Sequence, residues 1–291
     1  MLIGVLCVVL ASVAFGFTPV FATEIVGAGM DTMNMLVFTN ASSLLLSGAA
    51  LLLQKNRPRI TKRQFWQLML FGGCYGLTIL LLSYSYRMLP IGIATFLHFC
   101  YPIVVTAVMV IIFKEHLSLL KIAAIAVSLL GLFLILDISG GLSLTGALLA
   151  LASGFVYAAY VIAGRKSSFS MLPVMTVVFF TSLASFMGFL TYQLVTGGLL
   201  SPPNAKSWLL IISNAAADNI FAIFMMTCAI RRMGASNAAI GNLLEPVTSL
   251  LAGALLYRDK ISPLSLVGCA LVLLSILLIA LYERKAAGLT L

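Results

Sequence analysis

The chain has 291 residues, of which 62% are hydrophobic and only 9% charged, with a mean hydropathy of +1.15 and a formal net charge of +9. Soluble domains carry roughly 25% charged residues, so this composition excludes an ordinary water-soluble domain. The apolar runs are long and continuous, not the short alternating segments of a membrane β-barrel, so the predicted class is an all-α membrane protein.

In chain order, apolar spans are predicted near 2–22, 33–53, 65–85, 91–113, 119–136, 144–164, 173–195, 207–230, 235–257 and 263–282. Each is long enough, at roughly 18–24 residues, to cross a ~30 Å hydrocarbon core. They fill the chain and leave no room for a soluble domain. The longest connections are the basic stretch around 54–64 and the Gly/Pro-containing stretch around 196–206. The N-terminal apolar run has no basic residue before Lys55, so it is not expected to be a signal peptide. The five cysteines fall in apolar spans without a CxxC spacing and read as reduced packing residues. Asn40-Ala41-Ser42 has the form of a glycosylation sequon but lies mid-span.

The first half of the chain is rewritten in the second. Residues Arg87 to Leu136 correspond without a gap to Arg231 to Ala280, at an offset of 144. Ala94 matches Ala238, Pro102 matches Pro246, Ser118 matches Ser262, and Lys114-Glu115 is echoed by Arg258-Asp259. Gly4 to Phe15 corresponds to Gly146 to Tyr157 at an offset of 142. The expected division is therefore 1–140 and 141–291, five spans each. An odd number of spans per half makes the halves inverted copies, an arrangement of secondary carriers in which the substrate site lies between the repeats.

Charge sets the expected orientation. With the N-terminus cytoplasmic, inner segments hold Lys55, Arg57, Arg59, Lys62, Arg63, Lys114, Lys121, Arg165, Lys166, Arg231, Arg232, Arg284 and Lys285. Outer segments hold only Arg87, Lys206, Arg258 and Lys260. The positive-inside rule then places both termini in the cytoplasm. This bias accounts for the basic charge without any nucleic-acid partner.

These features resemble the drug/metabolite transporter superfamily, EamA type. The resemblance rests on Phe15-Gly16 and Tyr157-Ala158 near the start of each half, where the family often has Trp-Gly and Trp-Ala. It rests also on Tyr101-Pro102 and Glu245-Pro246, followed by Lys114-Glu115-His116-Leu117-Ser118 and Arg258-Asp259-Lys260-Ile261-Ser262. It covers essentially the whole chain. It implies a multi-pass protein of a bacterial inner membrane that moves, most often exports, amino acids or other small polar metabolites.

Polar residues within the spans point to the site. Asp218 and Glu245 lie near the middle of their spans, and charge there costs ~3 kcal/mol or more unless it faces a cavity or partner. Asn214 and Asp218 are spaced i,i+4, Asn242 and Glu245 i,i+3, and His98 and Tyr101 i,i+3, so each pair shares a helix face. Together with Tyr157 these form the expected solute-binding set. Pro102 and Pro246 free the carbonyls of His98 and Asn242 and are expected to break or gate their helices.

Asp218 and Glu245 are the proton-coupling candidates, since a proton and a solute ammonium compete for one carboxylate. Two intramembrane carboxylates and no intramembrane Lys or Arg disfavour strongly anionic solutes. A membrane enzyme is not expected, because HExxH, GxSxG, a Walker loop and a Cys/His metal set are all missing. A lipid scramblase or flippase, or an uncoupled uniporter, remains the alternative. The expected partners are a small-molecule solute and membrane lipids, with the chain a monomer or homodimer and without cofactor or metal.

Overall fold

The structure, a computed structural model, describes residues 2–54, 59–89, 91–135, 143–258 and 261–286. Lys55, Arg57, Asp259 and Lys260 lie outside the described residues, as does the expected division between the halves near residue 140.

Among the described residues the regular structure is entirely helical. The first half holds α1 (Leu2–Gly16), α2 (Thr18–Gly27), α3 (Thr32–Leu52), α4 (Lys62–Ser85), α5 (Ile91–His98), α6 (Tyr101–Ile111) and α7 (Leu119–Ile135). The second half holds α8 (Leu144–Lys166), α9 (Val174–Thr196), α10 (Ala205–Asn214), a π-helical segment (Ala215–Ala222) and α11 (Ile223–Met233). It continues through α12 (Ala235–Gly241), a 3₁₀ turn (Asn242–Leu244), α13 (Glu245–Tyr257) and α14 (Pro263–Ala286).

Helix starts follow local chemistry. Asp31 accepts from the backbone N–H groups of Met33 and Asn34 at the head of α3, and Thr61 and Gln64 form a reciprocal capping box at the head of α4. Ser143 and Asn204 cap α8 and α10 in the same way.

Among the described residues, eight helices, counting adjoining pieces together, are long and apolar enough to cross a membrane. The first runs from Ile3 to Gly27, five residues beyond the expected end at 22, because Pro19 sits in the first turn of α2, where a missing N–H is harmless. The fifth and tenth expected spans correspond to α7, with the apolar stretch Leu119–Ile135, and to α14, with the apolar stretch Pro263–Ile279. They pack on each other. A Cβ on Gly131 would lie 2.6 Å from the Gly268 carbonyl oxygen, and one on Gly268 2.5 Å from that of Gly131. The hydroxyls of Ser128 and Ser275 meet at 2.5 Å nearby. Small residues let the two backbones touch, as is usual where lipid supplies no hydrophobic drive. Gly72 and Gly76 do the same for α4 against α9, facing Thr181 and Ser185.

The contacts exchange partners between halves. α4 packs on α8 as α11 packs on α1, α6 packs on α8 as α13 packs on α1, and α3 lies against its own counterpart α9. The correspondence reaches single residues. Gly4 abuts Arg232 and Met233, while Gly146 abuts Met88 and Leu89. Lys114 and Arg258, 144 positions apart, both adopt the left-handed conformation with φ of 56° and 59°. Neither is glycine, and this conformation disfavours an L side chain by ~1–2 kcal/mol. The repeat therefore preserves a backbone shape in both copies despite its local cost. Large apolar side chains such as Leu45, Trp66, Leu148 and Phe155 are exposed on the outside of the bundle, as in a protein whose solvent is lipid.

Candidate functional site

A cavity of about 440 Å³ lies between the halves. Its walls come from α2, α3, α4 and α5 of the first half and from α8, α10, the π segment and α13 of the second. It reaches the ends of α2, α3 and α4 at Val26, Thr32 and Arg87, away from the end that carries Lys62 and Lys166. Beneath it the bundle is closed by Phe99, Tyr101, Met226, Ile240 and Leu243, all fully buried.

The floor is made by two broken helices. Each proline lies in the first turn of the helix that follows a break: Pro102 is the second residue of α6, and Pro246 the second of α13. There its missing N–H would be unpaired in any case. The chain thus turns at Phe99-Cys100 in the first half and through the 3₁₀ turn Asn242–Leu244 in the second. Irregular backbone at this depth is found where protein buries it or a cavity adjoins it. Both breaks are backed by close packing from the opposite half. A Cβ on Gly154 would lie 2.5 Å from the His98 carbonyl oxygen, and one on Gly16 would overlap Thr248 and lie 3.0 Å from the Glu245 carbonyl oxygen.

Of the expected site residues, His98, Tyr157, Asn214, Asp218, Glu245 and Pro246 line the cavity. Tyr101, Asn242 and Pro102, expected in the same set, do not line it. They are buried behind the floor, spent on protein partners. The Asn242 amide donates to Glu245 Oε2 at 2.9 Å and to the Tyr101 hydroxyl at 3.1 Å. Asn242 Oδ1 lies 2.9 Å from the Ser12 hydroxyl. The Tyr101 hydroxyl in turn donates to the Ala239 carbonyl at 3.4 Å. Glu245 is thus held through Oε2 while the residue lines the cavity.

His98 is oriented by Ser153. The Ser153 hydroxyl donates to the Ala150 carbonyl at 2.6 Å, so it accepts from His98 Nδ1 at 2.8 Å. That leaves His98 Nε2 as an acceptor. Its ring adjoins those of Tyr101 and Tyr157, which meet edge to face at 4.7 Å, while Tyr75 and Tyr160 extend the aromatic wall.

The opposite wall is the π segment. Asp218 Oδ1 accepts from the Thr18 hydroxyl at 2.7 Å. Asn214 and Asn219 line the cavity on either side of it. Asn214 Oδ1, Asn219 Nδ2 and the Thr39 hydroxyl are buried without a hydrogen-bond partner although all three residues line the cavity. The ion pairs among the described residues are Lys121–Glu115 and Lys206–Glu24, so neither Asp218 nor Glu245 has a cationic partner there. Arg87, at the rim, packs its guanidinium on the Tyr84 ring.

Sequence reasoning missed Asn219, Thr18 and Thr39. An α-helical wheel turns Asn219 about 100° away from Asp218, whereas the wider turn of a π segment brings Asn214, Asp218 and Asn219 to one wall. The signal available was the adjacency of two strongly polar residues, Asp218-Asn219, inside an apolar span. π segments of this kind recur at functional sites.

Comparison with known proteins agrees with this architecture. The sequence profile of the EamA-like transporter family matches the chain twice, over residues 2–137 and 144–281. A protein of Synechocystis sp. described as uncharacterized transporter sll1319 is 30% identical over 239 residues, covering 79% of this chain and 69% of that one. A solved crystal structure superposes with a TM-score of 0.82 over 97% of this chain and 98% of the other, at 18% identity, which is a likeness of fold.

Proposed function

The chain belongs to the EamA-like transporter family, and from that premise we propose that it is a secondary carrier for a small amine-bearing polar solute, bound in the cavity between its halves. One observation carries the reading. Asp218 and Glu245 each rest one oxygen on a neutral donor and meet no cation, beside three buried polar atoms without partners. An unsatisfied buried polar group costs ~1–3 kcal/mol, and an unpaired buried charge more. A solute ammonium supplies the counter-charge, and its remaining polar groups can bond Asn214, Asn219 and Thr39. Two carboxylates repel an anionic solute, so cations, zwitterions and neutral polar molecules are the class that fits.

Transport proceeds by alternating access of two inverted five-helix halves, with α7 and α14 crossing alongside the other eight spans. The basic end of the bundle is cytoplasmic and carries both termini, in a bacterial inner membrane. The cavity then opens outward, and export requires the closure beneath it, at Tyr101 and Leu243, to part. A proton and the solute compete for Asp218 or Glu245, which is the exchange an antiporter needs.

The test is a thermal-shift screen of purified protein against amino acids, polyamines, nucleosides and organic acids. A ligand that binds only the folded state raises the melting temperature by mass action. Amines and amino acids should stabilise the protein and organic acids should not. Stabilisation by organic acids alone would refute the reading.

A further inference from the structure

The structure assigns a second binding site, for an oxyanion, at the opposite end of the bundle from the solute cavity. A separate concavity of about 430 Å³ lies there. Arg165 and Lys166 reach it from the end of α8, Arg232 from the end of α11, His116 from the segment joining α6 to α7, and Lys121 from the first turn of α7.

The charge balance of this cleft is lopsided. Its acid, Glu115, is already committed: Lys121 Nζ bonds Oε1 at 2.5 Å, and the Ser236 hydroxyl bonds Oε2 at 3.3 Å. Arg165, Lys166 and Arg232 have no carboxylate partner among the described residues. Arg165 spends one N–H on the Arg231 carbonyl at 2.8 Å, and Lys166 rests over the Phe113 ring at 4.5 Å. Nearby, Arg231 keeps its Nε and Nη2 out of solvent with no acceptor among the described residues.

The positive-inside rule explains why basic residues gather at this end. It does not explain why three cations without a carboxylate partner among the described residues converge on a concavity whose lining acid, Glu115, is already bonded. A ligand bearing phosphate or carboxylate oxygens supplies the missing acceptors, and guanidinium groups bind such oxygens in paired, charge-assisted hydrogen bonds. The source is either a free anion or the phosphate of an anionic lipid headgroup. The walls come from both halves, so a bound oxyanion bridges elements that the proposed alternation would separate. It should therefore favour the state in which this end is closed.

The test uses the full-length chain. Inorganic phosphate is titrated into detergent-purified protein while melting temperature is followed, with sodium chloride at matched ionic strength as control. In parallel, stability is compared in nanodiscs of phosphatidylglycerol and of phosphatidylcholine. A saturable rise with phosphate, weakened at least about tenfold in apparent affinity by K166Q/R232Q, supports a free-anion site. A rise confined to phosphatidylglycerol discs and lost in the same variant supports a lipid site. No rise in either arm, or a rise that K166Q/R232Q leaves intact, overturns the proposal. Both substituted side chains are exposed, so the variant should fold. R165Q, which keeps Lys166 and Arg232, provides an independent second variant and should weaken the same response. Glu245→Gln should leave the phosphate response unchanged, which separates failure here from failure of the amine-carrier reading.

Discussion

The two helix breaks share one backbone plan and carry different chemistry. Each ends a helix, turns, and restarts with a proline in the first turn, beneath the same cavity and against the first helix of the opposite half. In the first half the positions flanking the turn are His98 and Tyr101, embedded among Tyr157 and Phe99. In the second half the corresponding positions are Asn242 and Glu245, tied into hydrogen bonds. The two halves thus repeat one backbone plan at the breaks. Divergence then put charge on one side and aromatic surface on the other. On the amine-carrier proposal, a solute between them would meet a carboxylate on one side and rings on the other, a pairing suited to a cation bearing an apolar group.

The sharpest way to break this comparison is to remove the charge that distinguishes the halves. Glu245→Gln should weaken binding of a cationic or zwitterionic ligand at least about tenfold, because the lost partner is a half-buried carboxylate. In proteoliposomes, whichever of Asp218→Asn and Glu245→Gln removes the proton carrier should abolish transport driven by a pH gradient while keeping exchange between two loaded sides. If wild-type transport is indifferent to an imposed pH gradient, proton coupling is wrong and both carboxylates serve recognition alone.

Steric substitution probes what the halves share. Gly154→Ala places a methyl against the His98 carbonyl and the Cys100 sulfur, where backbone must yield, and should destabilise the protein by about 1–3 kcal/mol. Gly16→Ala meets chiefly the Thr248 side chain. Its cost should be smaller once Thr248 is shortened, so the double variant with Thr248→Ala should recover part of the lost melting temperature. Equal damage at both glycines without rescue would mean that the second break is as backbone-limited as the first.

Much of this frame is readable in the chain itself. The long apolar spans, the gapless offset from Arg87 onward and the mid-span Asp218 and Glu245 are consequences of composition and periodicity. What the sequence hides is local backbone geometry. A proline announces a break but not its place: the helices stop at His98 and at Gly241, several residues before Pro102 and Pro246. Helical spacing put Tyr101 beside His98 and Asn242 beside Glu245, yet the turns between them swing one member of each pair out of the cavity. Asn219 was lost because a π segment has a period that no α-helical wheel contains.

The smallest expected effect tests the buried link between the breaks. Tyr101 accepts from the Asn242 amide and donates to the Ala239 carbonyl, so it joins the first break to the helix before the second. Tyr101→Phe removes the hydroxyl and leaves the ring against Tyr157. A neutral hydrogen bond contributes about 1 kcal/mol net, so stability should fall by no more than that. Asn242 keeps its bond to Glu245 Oε2, so affinity for an amine ligand should drop only about two- to fivefold, well short of the Glu245→Gln loss. A drop as large as that of Glu245→Gln would mean that the Tyr101 hydroxyl itself meets the solute, in a conformation where the floor has opened. The two breaks would then both contribute polar groups to binding, and the division of labour between aromatic and charged halves would hold only while the cavity floor is closed.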